Sequence, residues 1–292
     1  MTDILNVVTP TFFAILIGYL IGRFFKISMA PVVNITLYVG IPALLFVSLL
    51  NQKIILLDAV KIWASAIIVM YGCILVAWIV FKIIRQKHSG LYVSIGLMNT
   101  VNIPFPVISL AYGAPGMIAA TLFYIPNSLS TYTYGIYMMA GKRWKDNVKE
   151  IFIQPLIYAS SAGLLCNFLN APVPGMLYNS LEFVSRIAIP LVLIVLGYNL
   201  SKIRLNSVPT TILASFLRIA VGLGLGFLMV NVFDITGIAR NVVILDSAMP
   251  AAALSSIFAA KYNNEPELVS SVVFLTTLAS LAVIPFLLHI LG

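Results

Sequence analysis

The stretch Asn99-Thr-Val-Asn-Ile-Pro-Phe-Pro-Val107 lies inside a long apolar run of the sequence, Gly90–Tyr112. Proline has no backbone N–H donor, and its ring clashes with the preceding turn of a helix. Pro104 and Pro106 are separated by one residue, so they predict that a helix through this run is broken near its middle. A second break is predicted in Leu245-Asp-Ser-Ala-Met-Pro-Ala251, where one proline lies at the matching place of a later run.

The composition around these stretches identifies the solvent of the chain. Of its 292 residues 61% are hydrophobic and only 9% are charged, whereas a soluble domain carries about 25% charged residues. The chain therefore lacks the polar surface to be soluble, and its partner is the lipid bilayer. The net charge of +8 comes from basic residues between the apolar runs. We therefore read it as orienting helices and predict no nucleic-acid partner.

Apolar runs long enough to cross a bilayer recur along the whole chain. A membrane helix needs about 20 such residues, and the runs do not alternate between apolar and polar residues as barrel strands do. The first run is too long for a cleaved signal peptide and is kept as a helix. We predict an all-α integral membrane fold with ten transmembrane helices: Ile4–Gly22, Val32–Leu50, Val60–Ile84, Gly90–Tyr112, Gly116–Ala140, Ile151–Leu169, Leu177–Leu200, Val208–Val230, Ile238–Ala260 and Leu268–Leu291.

Basic residues between these runs predict the orientation. We number the loops between the predicted helices from the N-terminus. The even-numbered loops and the tails hold only Lys53, Lys61 and Arg240. Cytoplasmic loops are rich in Lys and Arg, so the odd-numbered loops are expected in the cytoplasm and both termini outside it, in the cell (inner) membrane. The odd-numbered loops hold twelve basic residues: Arg23, Lys26, Lys82, Arg85, Lys87, Lys142, Arg143, Lys145, Lys149, Lys202, Arg204 and Lys261.

Prolines indicate that the chain is a tandem repeat. Three pairs recur at nearly one offset, namely 145, 148 and 146 residues: Pro10 with Pro155, Pro42 with Pro190, and Pro104 with Pro250. The halves are then 1–146 and 147–292, each with five predicted helices. Because five is odd, the second half enters the membrane from the opposite side. Inverted repeats of this kind are typical of secondary transporters.

Polar residues cluster at the predicted breaks, where backbone groups need partners in a region without water. A half-helix N-terminus also favours an anion. The alternative is that these residues only satisfy the broken backbone or link helices. Asn102, whose amide can donate to a carboxylate, is the central candidate. The predicted substrate-binding residues are Asn99, Thr100, Asn102, Pro104, Asn127, Ser247, Met249 and Pro250.

Charged residues at membrane depth are costly unless they are paired or wetted. Glu182 and Arg186 stand four residues apart on one predicted helix and are expected to neutralise each other. Arg218 and Asp246 lie in consecutive predicted helices. We expect the two to be coupled as a pair across helices. The alternative is that Asp246 carries a coupling ion while Arg218 tunes it or attracts an anion.

Several motifs together resemble the auxin efflux carrier family. Asn99…Gly113 is similar to the family's Asn-Thr…Ile-Pro-Leu…Tyr-Gly stretch, and Tyr124-Ile-Pro-Asn-Ser128 to its Pro-Asn element. Gly40-Ile-Pro-Ala-Leu-Leu-Phe46 resembles its second helix. Met249-Pro-Ala251, followed by Tyr262…Leu268, resembles its second crossover. The loop Gly141–Glu150 is short, which favours a prokaryotic member, since plant members carry a long hydrophilic loop there.

The resemblance implies a fold like those of bile-acid:sodium symporters and sodium/proton antiporters, in which predicted helices 4 and 9 cross. It implies a scaffold of predicted helices 1, 2, 6 and 7, a transport core of helices 3–5 and 8–10, and an elevator mechanism. The implied activity is efflux or exchange of small organic anions such as malonate or malate, without a cofactor. Coupling to H+ or Na+ and a homodimer are both compatible with the resemblance.

Other functions are weighed by the residues they need. A sodium- or proton-coupled cation antiporter of this fold needs carboxylates at the crossover, often paired, and Asp246 is the single candidate. A bile-acid-type symporter remains a second alternative within transport. An enzyme is not expected, because no paired Asp, HExxH or Ser/His arrangement lies at membrane depth. A sensor is a further alternative, although the sequence shows no soluble domain that could receive a signal.

Overall fold

A computed structural model describes residues 2–25, 27–50, 53–141, 155–202 and 207–291 of the chain. Throughout these ranges the regular structure is helical, with one isolated bridge between Met98 and Ala251. The helices are α1 Thr2–Phe24, α2 Ala30–Leu50, α3 Leu56–Ile83, α4 Gly90–Gly96, α5 Pro104–Ala140, α6 Pro155–Phe168, α7 Gly175–Ser185, α8 Ala188–Leu200, α9 Val208–Val232, α10 Gly237–Ser247, α11 Ala253–Tyr262 and α12 Pro266–Leu291.

Many of these helices have the length and composition of membrane spans. Within the described ranges six helical stretches are long and apolar enough, with mean hydropathy between 1.5 and 2.4. They are α2, α3, α5, α7 with α8, α9, and α12. Large apolar side chains on their outer surfaces are exposed, as lipid contact requires, and others fill a continuous interior. The chain is an all-α integral membrane protein.

The first predicted break is present, but the prolines lie at its end and not within it. α4 ends at Gly96 and α5 begins at Pro104. The missing N–H of a proline costs nothing in the first turn of a helix, where the ring already fixes a helical φ. Pro104 and Pro106 therefore start the second segment. In the second break, between Ser247 and Ala253, the proline lies inside the interruption itself.

Two predicted boundaries differ from the structure. Predicted helices 4 and 5 meet at a bend and not at a loop, because Gly113 alone is non-helical within α5, with φ 60° and ψ −148°. Predicted helix 7 is divided after Ser185 by a short turn between α7 and α8. The predicted pair at its start is confirmed, since Arg186 lies 3.5 Å from Glu182 on the same helix face.

Helices α1, α2, α6, α7 and α8 pack mainly on one another. α1 lies along α8, and the end of α2 lies against α6 and α7. The first contact is close because glycines face backbone: a Cβ on Gly18 would lie 2.0 Å from the Ile194 carbonyl oxygen. On the facing helix, a Cβ on Gly197 would lie 1.9 Å from the Ile15 carbonyl oxygen. Small residues thus permit the close helix packing common in membranes.

The other helices, α3 to α5 and α9 to α12, form a second packed group. α10 contacts α5, α9 contacts both α3 and α10, and α11 packs against α12. At one end of this group the Glu265 carboxylate accepts the Gly90 N–H at 2.8 Å. The same carboxylate lies 2.6 Å from His88 Nδ1. This contact joins the start of α4 to the turn between α11 and α12.

Some sequence-based predictions fall outside the described residues. The proposed boundary between repeats at 146/147 is one of them, as is the C-terminal residue Gly292. The same holds for part of the basic-residue pattern, namely Lys26, Lys142, Arg143, Lys145, Lys149 and Arg204.

The glycine contact between α1 and α8 generates a stability prediction. Gly18→Ala places a methyl group against the Ile194 carbonyl. It should lower the free energy of unfolding by about 1–3 kcal/mol, the usual penalty of overpacking. Gly175→Ala is the matched control, because no atom lies within 4 Å of its added Cβ. Thermal unfolding of both purified variants in one detergent measures the difference. Equal melting temperatures for the two variants would contradict the packing described.

Candidate functional site

The two helix breaks contact each other inside the second packed group. The Asn99 N–H donates to the Pro250 carbonyl at 2.8 Å, and the Ala252 N–H donates to the Leu97 carbonyl at 2.9 Å. The residues between them, Met98 and Ala251, form an antiparallel bridge. Each break therefore supplies hydrogen-bond partners to the other, as non-helical backbone in a membrane interior requires.

Asn127 of α5 braces the first break. Its Nδ2 donates to the Met98 carbonyl and to the Thr100 hydroxyl, both at 2.9 Å, and its Oδ1 accepts the Met98 N–H at 3.4 Å. The side chain is buried. The reading of Asn127 as a residue that satisfies broken backbone therefore has direct structural support. Its position next to the cavity described below is compatible with a second role in binding.

Asn99 and Thr276 hold further backbone groups of the breaks. Asn99 Oδ1 accepts the Asn102 N–H at 2.9 Å, which closes a turn before α5 begins. In the second break, the Ala251 N–H donates to the Thr276 hydroxyl of α12 at 3.1 Å. The breaks are thus shaped by specific side chains on neighbouring helices.

A cavity of about 140 Å³ lies between the breaks and the first packed group. Such a volume can hold a small organic molecule, since a water occupies about 30 Å³ in the liquid. Its walls come from both breaks and from α2, α5, α6, α8 and α11. The lining residues are Val33, Thr36, Leu37, Ile41, Met98, Asn99, Thr100, Val101, Asn102, Tyr124, Asn127, Ser128, Thr131, Tyr132, Leu156, Val192, Val195, Asn199, Ala252, Ala253, Leu254 and Ile257.

The cavity offers hydrogen-bond donors without a formal charge. No acidic or basic side chain is among its described lining residues. Asn99 Nδ2 is buried and has no hydrogen-bond partner in the described part of the chain. The half-buried Asn102 lies beside it, and Ala253 and Leu254 bring the N-terminus of α11 to the wall. Amide donors and a helix N-terminus both favour an anionic oxygen.

Half of the predicted substrate-binding residues line this cavity, namely Asn99, Thr100, Asn102 and Asn127. The other four lie at the breaks but behind its surface. Pro104 starts α5, and the carbonyl of Pro250 accepts the hydrogen bond from the first break. The remaining two, Ser247 and Met249, are fully buried.

Several lining residues were not predicted. On α5, Tyr124, Ser128 and Thr131 lie with Asn127 on one face. Their spacing of three and four residues is the helical period, so this polar face was readable in the sequence. Asn199 of α8 was readable as an amide inside an apolar run. The contribution of Ala253 at the start of α11 could not be predicted from the sequence, because it depends on the direction of the backbone and not on a side chain.

The expected ion pair between Arg218 and Asp246 is wrong. The Arg218 guanidinium instead donates to backbone carbonyls, at 2.9 Å for Ile95 and 2.6 Å for Ser247. Neither carboxylate oxygen of Asp246 has a hydrogen-bond partner among the described residues. Both side chains are fully buried and lie outside the cavity lining. The helix breaks leave carbonyls without partners, and the arginine satisfies these in preference to the carboxylate.

The amino-acid sequence is similar to those of known membrane proteins. Residues 144–288 match the family described as "Membrane transport protein". The match covers the second half of the chain. An uncharacterized transporter of Methanocaldococcus jannaschii is 25% identical, and the alignment covers 96% of each chain. An uncharacterized transporter of Methanothermobacter thermautotrophicus is also 25% identical, over 95% of this chain and 96% of the relative.

A third relative carries a substrate in its name. The protein called "Putative malonate transporter" in Rhizobium meliloti is 24% identical, over 100% of this chain and 97% of its own length. The family predicted from the motifs is thereby confirmed, and its relatives here are archaeal and bacterial. The chain is a membrane transport protein, and the cavity at the two breaks is its candidate substrate site.

Thermal unfolding can distinguish the structural role of Asn127 from that of Asn102. Asn127→Ala removes three hydrogen bonds to the break and should lower stability by about 1–3 kcal/mol, the loss expected when buried polar groups are left unpaired. Asn102→Ala removes no such contact and serves as the matched control. The two variants can be compared by thermal unfolding in detergent. If Asn127→Ala unfolds no earlier than Asn102→Ala, the brace is not what holds the break.

Proposed function

We propose that this protein is a secondary transporter of small organic anions, with carboxylates as the substrate class. The observation that carries the proposal is the cavity between two interrupted helices, where the Asn99 amide has an unused donor. A carboxylate oxygen accepts hydrogen bonds from amides, and it does so without a buried cation that would be costly in the membrane.

The apolar residues of the cavity wall restrict the class of substrate that we propose. Val33, Leu37 and Val192 face the same space as the amides, so the occupant has a short hydrocarbon body beside its anionic group. The name of the Rhizobium relative, a malonate transporter, belongs to the same chemical class. We therefore favour short carboxylates, moved by efflux or exchange.

The proposed architecture has ten transmembrane helices in two inverted repeats, 1–146 and 147–292. The breaks after α4 and after α10 lie at corresponding positions of these halves, which supports the repeat. The first packed group contains predicted helices 1, 2, 6 and 7, the proposed scaffold. The second contains predicted helices 3–5 and 8–10, the proposed transport core. The cavity lies between the two groups, where an elevator motion would carry it across the membrane.

A cation antiporter or a bile-acid-type symporter of the same fold is the competing proposal. Cation carriers need carboxylates at the site, and no acidic residue is among the described lining residues of the cavity. Asp246 lies near the second break but behind the wall. This arrangement favours an anionic substrate over a cationic one.

Asp246 is the proposed carrier of a coupling ion. Its carboxyl group is fully buried, and neither oxygen has a hydrogen-bond partner within the described ranges. An isolated buried carboxylate is very costly, so the group must bind a proton or a cation such as Na+. Uptake and release of that ion during the transport cycle would couple transport to its gradient.

Substrate binding should depend on the amide donors of the cavity. A thermal-shift screen against mono- and dicarboxylates, with and without sodium, identifies the ligand, because binding to the native state raises its stability. Asn102→Ala should then weaken the binding of that ligand by about 5- to 150-fold, which is the loss expected when one buried hydrogen-bond partner is removed. Asn179→Ala on the exposed surface of α7 is the control. Unchanged calorimetric affinity in Asn102→Ala would remove this residue from the site.

Coupling is tested separately in proteoliposomes. Asp246→Asn keeps the shape of the side chain but cannot carry a proton or bind a cation as a carboxylate does. Transport by this variant should no longer respond to an imposed proton or sodium gradient, whereas exchange of substrate should persist. Asp58→Asn, on an exposed position at the start of α3, is the control. A gradient response like that of the wild type would exclude Asp246 as the carrier.

The proposed orientation places both termini outside the cytoplasm. With Cys73 and Cys166 replaced, a cysteine at Gly292 should react with a membrane-impermeant maleimide applied to whole cells. A cysteine at Gln86, in the loop after α3, should react only after permeabilisation. The reverse pattern would invert the topology.

A further inference from the structure

Among the residues whose side chains the structure describes, Arg218 is the largest that is fully buried, and none of their acidic groups pairs with it. It lies in α9, within a π-helical turn, Leu217–Val221. Nη1 donates to the Ile95 carbonyl at 2.9 Å and to the Gly96 carbonyl at 3.3 Å, and Nη2 donates to the Ser247 carbonyl at 2.6 Å. A full positive charge is thus held by backbone oxygens alone.

These oxygens share one structural origin. Gly96 is the last residue of α4, and Ser247 is the last residue of α10. The final carbonyls of a helix have no partner inside it and carry the negative end of the helix dipole. Both interrupted helices therefore direct their negative ends at one point, and the guanidinium occupies that point.

The surrounding backbone is adapted to this side chain. A Cβ on Gly222, one turn after Arg218, would lie 2.1 Å from Nη2 and 2.2 Å from the Ser247 carbonyl oxygen. Glycine at this position leaves the space in which the guanidinium reaches α10. One further turn along, a Cβ on Gly226 would lie 2.6 Å from the Ser247 Cβ. The glycines of α9 thus admit both the arginine and the end of α10.

We propose that the ends of α4 and α10 form a monovalent-cation site, and that the Arg218 guanidinium fills it permanently. Converging backbone carbonyls are ordinary ligands of Na+ and K+, and here a tethered cation takes that place. The crossover is therefore assembled without a bound metal ion at this point. Only the consequence for transport rests on the proposed function: an ion at this site cannot be released in the cycle, so coupling must occur elsewhere.

The fork shape of arginine explains why this cation is not a lysine. Separate nitrogens reach α4 and α10, so one side chain bridges two helix ends that belong to different halves of the chain. A lysine ammonium is a single point with flexible donors and holds such a bridge less well. Arg218→Lys should consequently keep the charge and lose part of the stability.

Chemical rescue tests the proposal directly. Purified Arg218→Ala should melt at least about 5 °C below wild type, and millimolar methylguanidinium chloride should restore at least half of that loss. The same concentration of choline chloride or urea should not restore it. In an Asp246→Asn background, which removes the other proposed cation ligand, the protein with Arg218 intact should melt at one temperature in sodium, potassium or choline chloride. A protein of that background that needs Na+ or K+ for stability, or an Arg218→Ala variant that needs no cation, would overturn the assignment.

A pair of glycine variants tests the site even if Arg218→Ala does not fold. Gly222→Ala displaces Nη2 and should lower the melting temperature, whereas Gly224→Ala on the same helix meets no atom within 4 Å and should not. Equal behaviour of the two variants would contradict a fitted guanidinium site. These melting measurements require no transport, so their outcome is independent of whether the protein moves organic anions.

Discussion

The structure depends on one constraint: inside a bilayer, no water is present to satisfy an interrupted backbone. The two breaks meet this constraint by exchanging hydrogen bonds, from Asn99 to Pro250 and from Ala252 to Leu97. The side chains of Asn127 and Thr276 complete the partners that the backbone cannot supply. What remains unused, the Asn99 amide and the start of α11, belongs to residues that line the cavity. The candidate site therefore contains the polar groups that the hydrogen bonds between the breaks leave without a partner.

The sequence predicted the membrane class, the positions of the breaks and the family, because each depends on local composition or on spacing. Apolar runs identify helices without any knowledge of packing. Prolines identify places where a helix cannot continue, although Pro104 begins a helix and does not lie within the gap. The polar residues in Asn99-Thr-Val-Asn102 were predicted for the same reason, since amides inside an apolar run must have a partner.

What the sequence did not predict depends on three-dimensional contacts. Two opposite charges in adjacent helices suggested that Arg218 pairs with Asp246, but pairing strength cannot be judged until the competing acceptors are known. Carbonyl oxygens at two helix ends are invisible in a list of side chains, yet they hold the guanidinium. The same limit applies to Ala253 and Leu254, whose place in the cavity wall comes from backbone direction. Sequence reasoning locates polar side chains well and backbone charges poorly.

The exchange of hydrogen bonds between the breaks also has a consequence for biogenesis. The first break is made on the ribosome long before the residues around Pro250 that complete it. Until then the described partners of its backbone groups in the first half are the side chains of Asn99 and Asn127, and water or the translocon must supply the rest. We therefore expect the first half of the chain to be incompletely hydrogen-bonded in lipid until the second half has been inserted. Assembly of this protein is a late event in its own synthesis, however early its first helices enter the membrane.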